Sequence, residues 1–477
     1  MKRLLLRAVA LWLLAGAKLA AAGPIEAIKA AEIDAGKLPP VVAYATRYLW
    51  VPHADERQEV FAAASFWANS TSTEAEIVRP RLVGAEVIAL YLPAYGGNKA
   101  ALWEKFGDTD PYFHERVAVP AGQAYTSFWR QGKSWTPGFY AQRADKALVF
   151  SIPVRSMEQD RLAILCNSAA PILRADWWLN QVAAQVDRKV GYYDWLGAGA
   201  KRADFEKVVG LDRAAAARVR RETAAIVTES IVALHNRQIF RRATITGAWW
   251  ETNDSKKNTD VNNAIRLLDE DYRHDAEEII ATLPNGLHGF FLAAADGTRA
   301  DFAPDTIASD GSSPSSDRRV HAGISCVRCH VEGIRPINDW ARRAYNRPFN
   351  TPDSLTVPDP VREVRLRQLY ASDLGKLIKR DQGDYVEAVR ATNGLDTADN
   401  AKVVAAVWYN YQDRPVTAEV AAAELGVTPE AMLAVFRMRK GIDPVLFSLA
   451  KRPSIPVRRE YWEEIFQVAW SIIREAN

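Results

Sequence analysis

Cys326-Val327-Arg328-Cys329-His330 sets two thiols and an imidazole at a spacing that defines one chemistry. Each thiol of a Cys-x-x-Cys-His segment can add across one vinyl group of haem to form a thioether. The two-residue gap lets a single turn of chain reach both vinyls, and the adjoining histidine then comes under the iron as its fifth ligand. The competing readings are a redox dithiol, a structural disulfide and a partial zinc site. A thioredoxin-type dithiol sits between a strand and a helix. Here a polar loop, Asp310 to Asp317, precedes the motif, and Gly333 and Pro336 follow it. Zinc would need a fourth ligand from afar, and the nearest extra candidate is His321. The motif therefore predicts one covalent haem c on Cys326, Cys329 and His330. The third cysteine, Cys166, lies in the apolar run Leu162-Ala-Ile-Leu-Cys166 and reads as a buried free thiol.

The sixth position of the iron is less orderly. Electron-transfer cytochromes with a second protein ligand take it from methionine or histidine. Of four methionines, the first after His330 is Met432, and Met432 and Met438 are spaced as a helix face in a core. All six other histidines lie upstream of His330. His274 is the expected distal ligand, with Asp275 beside it to orient the imidazole. Arg237, Arg241 and Arg273 could stand over the iron in a peroxide-handling site, or could simply be ion-paired. The acidic neighbours Asp269, Glu270 and Asp271, and Glu277 with Glu278, read as a solvated face.

The first residues bear on compartment. Lys2, Arg3 and Arg7, the apolar stretch 8–17 and Ala20-Ala21-Ala22 have the layout of a signal peptide over residues 1–22. Covalent haem attachment happens on the exported side, so a periplasmic or secreted location is expected. No later segment offers about 20 uninterrupted apolar residues, so no integral membrane protein is expected once the leader is cleaved. The chain carries 61 basic and 58 acidic residues. Without Lys2, Arg3, Arg7 and Lys18 the basic count falls to 57 and the net charge to −1. That balance gives no reason to expect a nucleic-acid partner.

These groups must be positioned by a large body. Residues 54–70 repeat apolar side chains at helical spacing, and 77–95 alternate as strands. Residues 172–190 and 203–240 read as helices. Gly289-Phe290-Phe291-Leu292, followed by Asp296-Gly297, reads as a β-hairpin just before the motif. Beyond Pro360 the pattern is helical, broken at Asn393-Gly394, Pro415, Gly426, Pro429 and Pro453. The 15 tryptophans, some in pairs such as Trp177-Trp178 and Trp249-Trp250, suit an aromatic core. The expectation is an α+β fold, predominantly helical. It has an α+β body over 23–345 that carries the motif near its end, and a helical C-terminal domain over 346–477. A single composite body is the other reading.

Several stretches resemble a poorly characterised bacterial family of large exported proteins with a single Cys-x-x-Cys-His. They include Arg47-Tyr48-Leu49, Phe66-Trp67-Ala68-Asn69-Ser70, Arg174-Ala175-Asp176-Trp177-Trp178 and Gly247-Ala248-Trp249-Trp250. His274-Asp275, Leu283-Pro284-Asn285-Gly286-Leu287 and Gly323-Ile324-Ser325-Cys326 continue the likeness. The resemblance implies haem binding and suggests electron transfer; it implies no substrate. The family pattern has Gln where this chain has His288, and His near Arg242. Both departures argue against those positions as ligands and leave His274 favoured.

Three classes of function remain: a one-electron carrier serving an unidentified redox partner protein, a haem enzyme of peroxidase or dehydrogenase type, and a haem-based sensor or binding module. The carrier leads, because a thioether-anchored haem needs no further catalytic groups.

Overall fold

The computed structural model describes residues 23–120, 142–144, 147–153, 156–185, 190–218, 222–228, 230, 233, 235–265, 272–311, 313, 318–345, 360–370, 373–439 and 441–476. The leader expected over residues 1–22 lies outside them. Among the described residues no helix is long and apolar enough to cross a membrane.

The fold is mixed α+β. Near the N-terminus, β1 (Thr46–Trp50), β2 (Arg81–Val83), β3 (Val87–Tyr91) and β7 (Ile172–Arg174) form a sheet in the order β2-β3-β1-β7. β1 runs antiparallel to β3 and parallel to β7, and every residue of β1 is buried. The helix Arg57–Ser70, expected from its spacing, buries Val60, Phe66 and Trp67. A smaller sheet joins β4 (His114–Pro120), β5 (Gln142–Ala144) and β6 (Ala147–Pro153).

The site is built on a second large sheet, an antiparallel meander. β8 (Glu222–Val227), β9 (Arg237–Ala243), β10 (Ala248–Asp254), β11 (Ala276–Thr282) and β12 (His288–Ala294) lie side by side in sequence order. The period of two along each strand decides which side chains share a face. Trp250 stands opposite both Arg241 and Ile280, and Thr252 opposite both Ile239 and Glu278. Glu278 in turn faces Leu292, and Ile280 faces Phe290. On the other face Trp249 and Phe291 each lie 5.5 Å, between ring centroids, from Phe205.

The expectation of a helix over 203–240 is corrected. The helices Arg202–Val208 and Arg213–Arg218 flank Gly210, whose φ of +65° ends the first, and β8 and the start of β9 follow them. Arg237, Arg241 and Arg242 are buried in β9, each paired with a carboxylate. Within 172–190, a strand precedes the helix Ala175–Ala183.

The Leu-Pro-Asn-Gly segment is the turn between β11 and β12. Leu283 N donates to Leu287 O at 2.8 Å, and Gly286 takes φ +85°. Asn285 Nδ2 donates to Asn69 O at 2.8 Å, so the turn is tied to the end of the helix Arg57–Ser70. The strand that follows turns at Asp296-Gly297 into a one-bridge return, Ala293 opposite Arg299.

Helices follow from Pro360, and their ends obey local capping chemistry. Asp396, Thr417, Thr428 and Asp443 each accept a backbone N–H at a helix start, with Pro429 and Pro444 in first turns. Gly394 and Gly426 end helices in the left-handed conformation. The boundary expected between 345 and 346 does not separate two cores. Trp462, Phe466 and Trp470 belong to the same buried cluster as Trp50, Trp178 and Phe291. The ring of Tyr112 packs 4.8 Å from Phe466.

Candidate functional site

Cys326 and Cys329 occupy the short helix Ile324–Cys329, three residues apart and hence on one side of it. Ile324 and Val327 are buried in the core, each 1% exposed, and the half-buried Cys326 and Cys329 line a cavity beside it. Gly323 enters this helix at φ +89°, and a Cβ there would strike the carbonyl of Ala183 and the ring of Tyr192. Ser325 Oγ accepts from His321 N at 3.1 Å. Arg328 reaches Asp310 Oδ2 at 2.7 Å and Tyr409 OH at 2.8 Å, which ties the motif to the helix Thr397–Asp413.

His330 caps the helix Ile324–Cys329, its N–H 2.7 Å from Cys326 O. Its ring Nδ1 lies 3.0 Å from the carbonyl of Gly333. A carbonyl oxygen only accepts, so this contact places the ring proton on Nδ1 and leaves a lone pair on Nε2. Burial, reinforced by Arg335 and Arg237 against the Gly333 bond, pushes the imidazole down to about 4, so it is neutral at physiological pH.

Cys326, Cys329 and His330 line one cavity of about 310 Å³, which closes against the front face of the meander. Ile239, Trp250, Ile280 and Leu292 form the sheet wall, and Val320 and Ile334 face them. Arg237, Glu278 and Arg335 are charged-type side chains on this lining. Arg237 spans two carboxylates. Its Nε and Nη2 meet Asp254 at 2.6 and 2.7 Å, and Nη2 also meets Glu278 Oε2 at 2.9 Å. Glu278 Oε1 is buried with no hydrogen-bond partner.

The thiols carry no sign of thiolate chemistry. Burial pushes both Cys326 and Cys329 above the ordinary thiol range. A redox dithiol needs the opposite shift. Among the described residues no cluster of three or more His, Cys, Asp or Glu side chains is placed to hold a metal ion. Cys166 is fully buried, and burial pushes its thiol up to about 12.

The structure brings Cys326, Cys329 and His330 together but does not bring His274 to them. His274 is not among the lining residues; its Nε2 meets Glu277 Oε1 at 3.0 Å, and Glu277 points to the opposite face of the sheet from Glu278. Asp275 does not orient that imidazole; its carboxylate accepts from Lys256 N at 2.9 Å. His288 lies behind His330: its ring stacks on Tyr385 at 4.2 Å, and its Cε1 is 3.0 Å from where a Gly333 Cβ would stand. Arg241 pairs with Asp381 at 2.9 and 3.0 Å, and Met432 is in the core.

Glu277 and Glu278, expected on a solvated face, are instead held in ion pairs on the two faces of β11. Alternation in Ala276-Glu-Glu-Ile-Ile-Ala-Thr282 is the signal that could have found this, since it sets Glu278 beside Ile280.

No protein-family model matches the chain, and no curated protein and no solved structure is significantly similar to it.

Proposed function

We propose that this chain is an exported bacterial c-type cytochrome holding one covalent haem c, and that it transfers single electrons to or from a redox partner protein. The observation that carries the reading is the Nδ1 contact of His330 with Gly333 O, which leaves Nε2 ready to ligate in the cavity both cysteines line. The residues fit the group. Two thiols at the attachment spacing and a neutral imidazole share a largely apolar cavity, within the size range of small-molecule sites, about 300–1,000 Å³. In this reading Cys326 and Cys329 form the thioethers and His330 is the proximal ligand. Arg237 and Arg335 supply positive charge at the lining. When bound, haem supplies a one-electron iron couple whose potential depends on burial, ligation and nearby charge.

The likeness to large exported single-haem proteins and a periplasmic or secreted location belong to the same proposal.

Expression with the haem-attachment machinery tests it. Haem that stays on the chain after denaturation supports the proposal, as does its loss in Cys326→Ala/Cys329→Ala. Unchanged haem in that variant would refute it.

One observation favours a second reading. Among the described lining residues there is no histidine besides His330 and no methionine. An open sixth position would suit a haem enzyme or a gas sensor. A high-spin reduced spectrum with rapid carbon monoxide binding selects that reading; a low-spin spectrum selects the carrier.

A further inference from the structure

We propose that Glu278 is the proton acceptor coupled to electron uptake in this cavity. Its Oε1 binds one solvent proton as one electron enters and releases it when the electron leaves. The inference rests on the haem reading above and extends it to an acid that no motif marks.

Three observations carry it. Glu278 is on the cavity lining, on the same wall as Ile280 and Trp250, so any charge that changes in the cavity lies across little intervening material. Its Oε1 has no partner, whereas Oε2 is held by Arg237 at 2.9 Å. Only one of its two oxygens is committed, and the other can carry a proton without breaking a contact. The guanidinium is already matched by Asp254 in a two-bond contact at 2.6 and 2.7 Å, and Thr252 adds a third donor to Asp254 at 3.1 Å. Glu278 is therefore the second carboxylate on one cation, the one in surplus. Burial raises its affinity for a proton, Arg237 opposes this, and the negative charge of Asp254 adds to it.

The other charged groups about the acid are accounted for. Arg237 comes from β9 and Asp254 from β10. Leu292, its neighbour on β12, is apolar. Cys326 and Cys329 face it from the motif helix and cease to titrate once they are thioethers. Arg335 lines the cavity from the loop after the motif, and Asp310 does so while bound to Arg328. Glu278 keeps 20% of its side-chain surface accessible, while Oε1 itself is buried.

The balance is simple. An external one-electron donor, such as a reduced mediator dye, takes the iron from Fe(III) to Fe(II), and one proton from solvent turns the carboxylate into the carboxylic acid. Opposite charges interact strongly in a poorly polarisable interior, so the electron favours the proton and the proton favours the electron.

The test is the midpoint potential of the haem-loaded protein measured against pH, across about pH 5–9. One proton per electron makes the reduction equilibrium fall up to tenfold per pH unit, about 59 mV for a one-electron couple. We expect wild type to show this slope over part of the range and Glu278→Gln to lose it. A slope retained in Glu278→Gln, or a flat wild-type profile, overturns the inference. Should Glu278→Gln not accumulate, the redox infrared difference spectrum of wild type decides. A protonated-carboxyl band gained on reduction and shifted by carbon-13 glutamate labelling supports Glu278. An unshifted band assigns the proton to a haem propionate and overturns the inference, as does the absence of any band. Failure of haem to attach at all would instead defeat the proposed function.

Discussion

Arg174 Nη1 lies 2.5 Å from Glu424 Oε2, a fully buried ion pair between residues 250 positions apart. Arg174 ends β7, and Glu424 stands near the end of the helix Ala418–Leu425. The pair is one part of a network. Arg459 Nη1 meets Glu424 Oε1 at 2.9 Å, Trp462 Nε1 donates to Oε2 at 2.7 Å, and Asp176 takes two bonds from Arg174. Burial alone would push the Glu424 carboxyl up, but Arg174 and Arg459 outweigh it and hold it well below the usual range. The C-terminal helices are thus bound to the N-terminal sheet by charge as well as by apolar packing.

Replacing Glu424 by Gln strands two buried guanidinium groups with one carboxylate, Asp176, between them. Breaking a buried pair typically costs about 3–5 kcal/mol. Urea unfolding of Glu424→Gln should show a loss of that order, in one transition that takes both parts of the chain together. A loss confined to a separate C-terminal transition would argue for two independent domains.

Gly333 takes φ +90°, where an added Cβ would stand 3.0 Å from His288 Cε1 and 3.2 Å from the Tyr385 ring. Gly333→Ala should destabilise the fold by about 1–3 kcal/mol through backbone strain and crowding. Because its carbonyl takes the His330 Nδ1 contact, the change should also broaden or shift the haem absorption. A variant matching wild type in both melting and spectrum would contradict this.

Lys99 is 3% exposed, its Nζ bonded to Thr71 O at 2.9 Å and to Trp195 O, with the Trp195 ring beneath it. Burial lowers this amine to about 7 from an ordinary 10.5. The unfolded chain therefore holds a proton between these values that the folded chain has released, and stability rises with pH there. Below about 7 both states are protonated, and the lysine contributes no slope. From pH 7 to 9 the gain should approach about 2 kcal/mol. Denaturation at both pH values in wild type and Lys99→Met measures it; equal pH dependence in the two proteins would rule the assignment out.

His274→Ala should leave the haem spectrum in place, because His274 Nε2 is bonded to Glu277 and the side chain is not on the cavity lining. The expected change is a small loss of stability. Conversion of a low-spin spectrum to a high-spin one would restore His274 as the distal ligand.

Much of the local structure was legible in advance. The breaks at Asn393-Gly394, Gly426 and Pro429 fall at helix ends because caps depend on the neighbouring residues alone. The helix Arg57–Ser70 and the strands β2 and β3 were readable from periodicity. The start of the meander was not: β9 buries arginines on both faces and β8 is buried on both faces from Thr223 to Val227, so neither sequence has the polar-apolar alternation of a half-exposed strand.

By itself the sequence determined the grouping of Cys326, Cys329 and His330, because three residues within one helical turn need no distant partner to come together. It also determined the caps and turns around them, including the glycines at 323 and 333. Tertiary structure alone decided what faces that group. Glu278 and Arg237 reach the cavity through strand register, which depends on hydrogen bonds between segments far apart in the chain. The same register turned His274 toward Glu277 and away from the motif, a matter that no local pattern records.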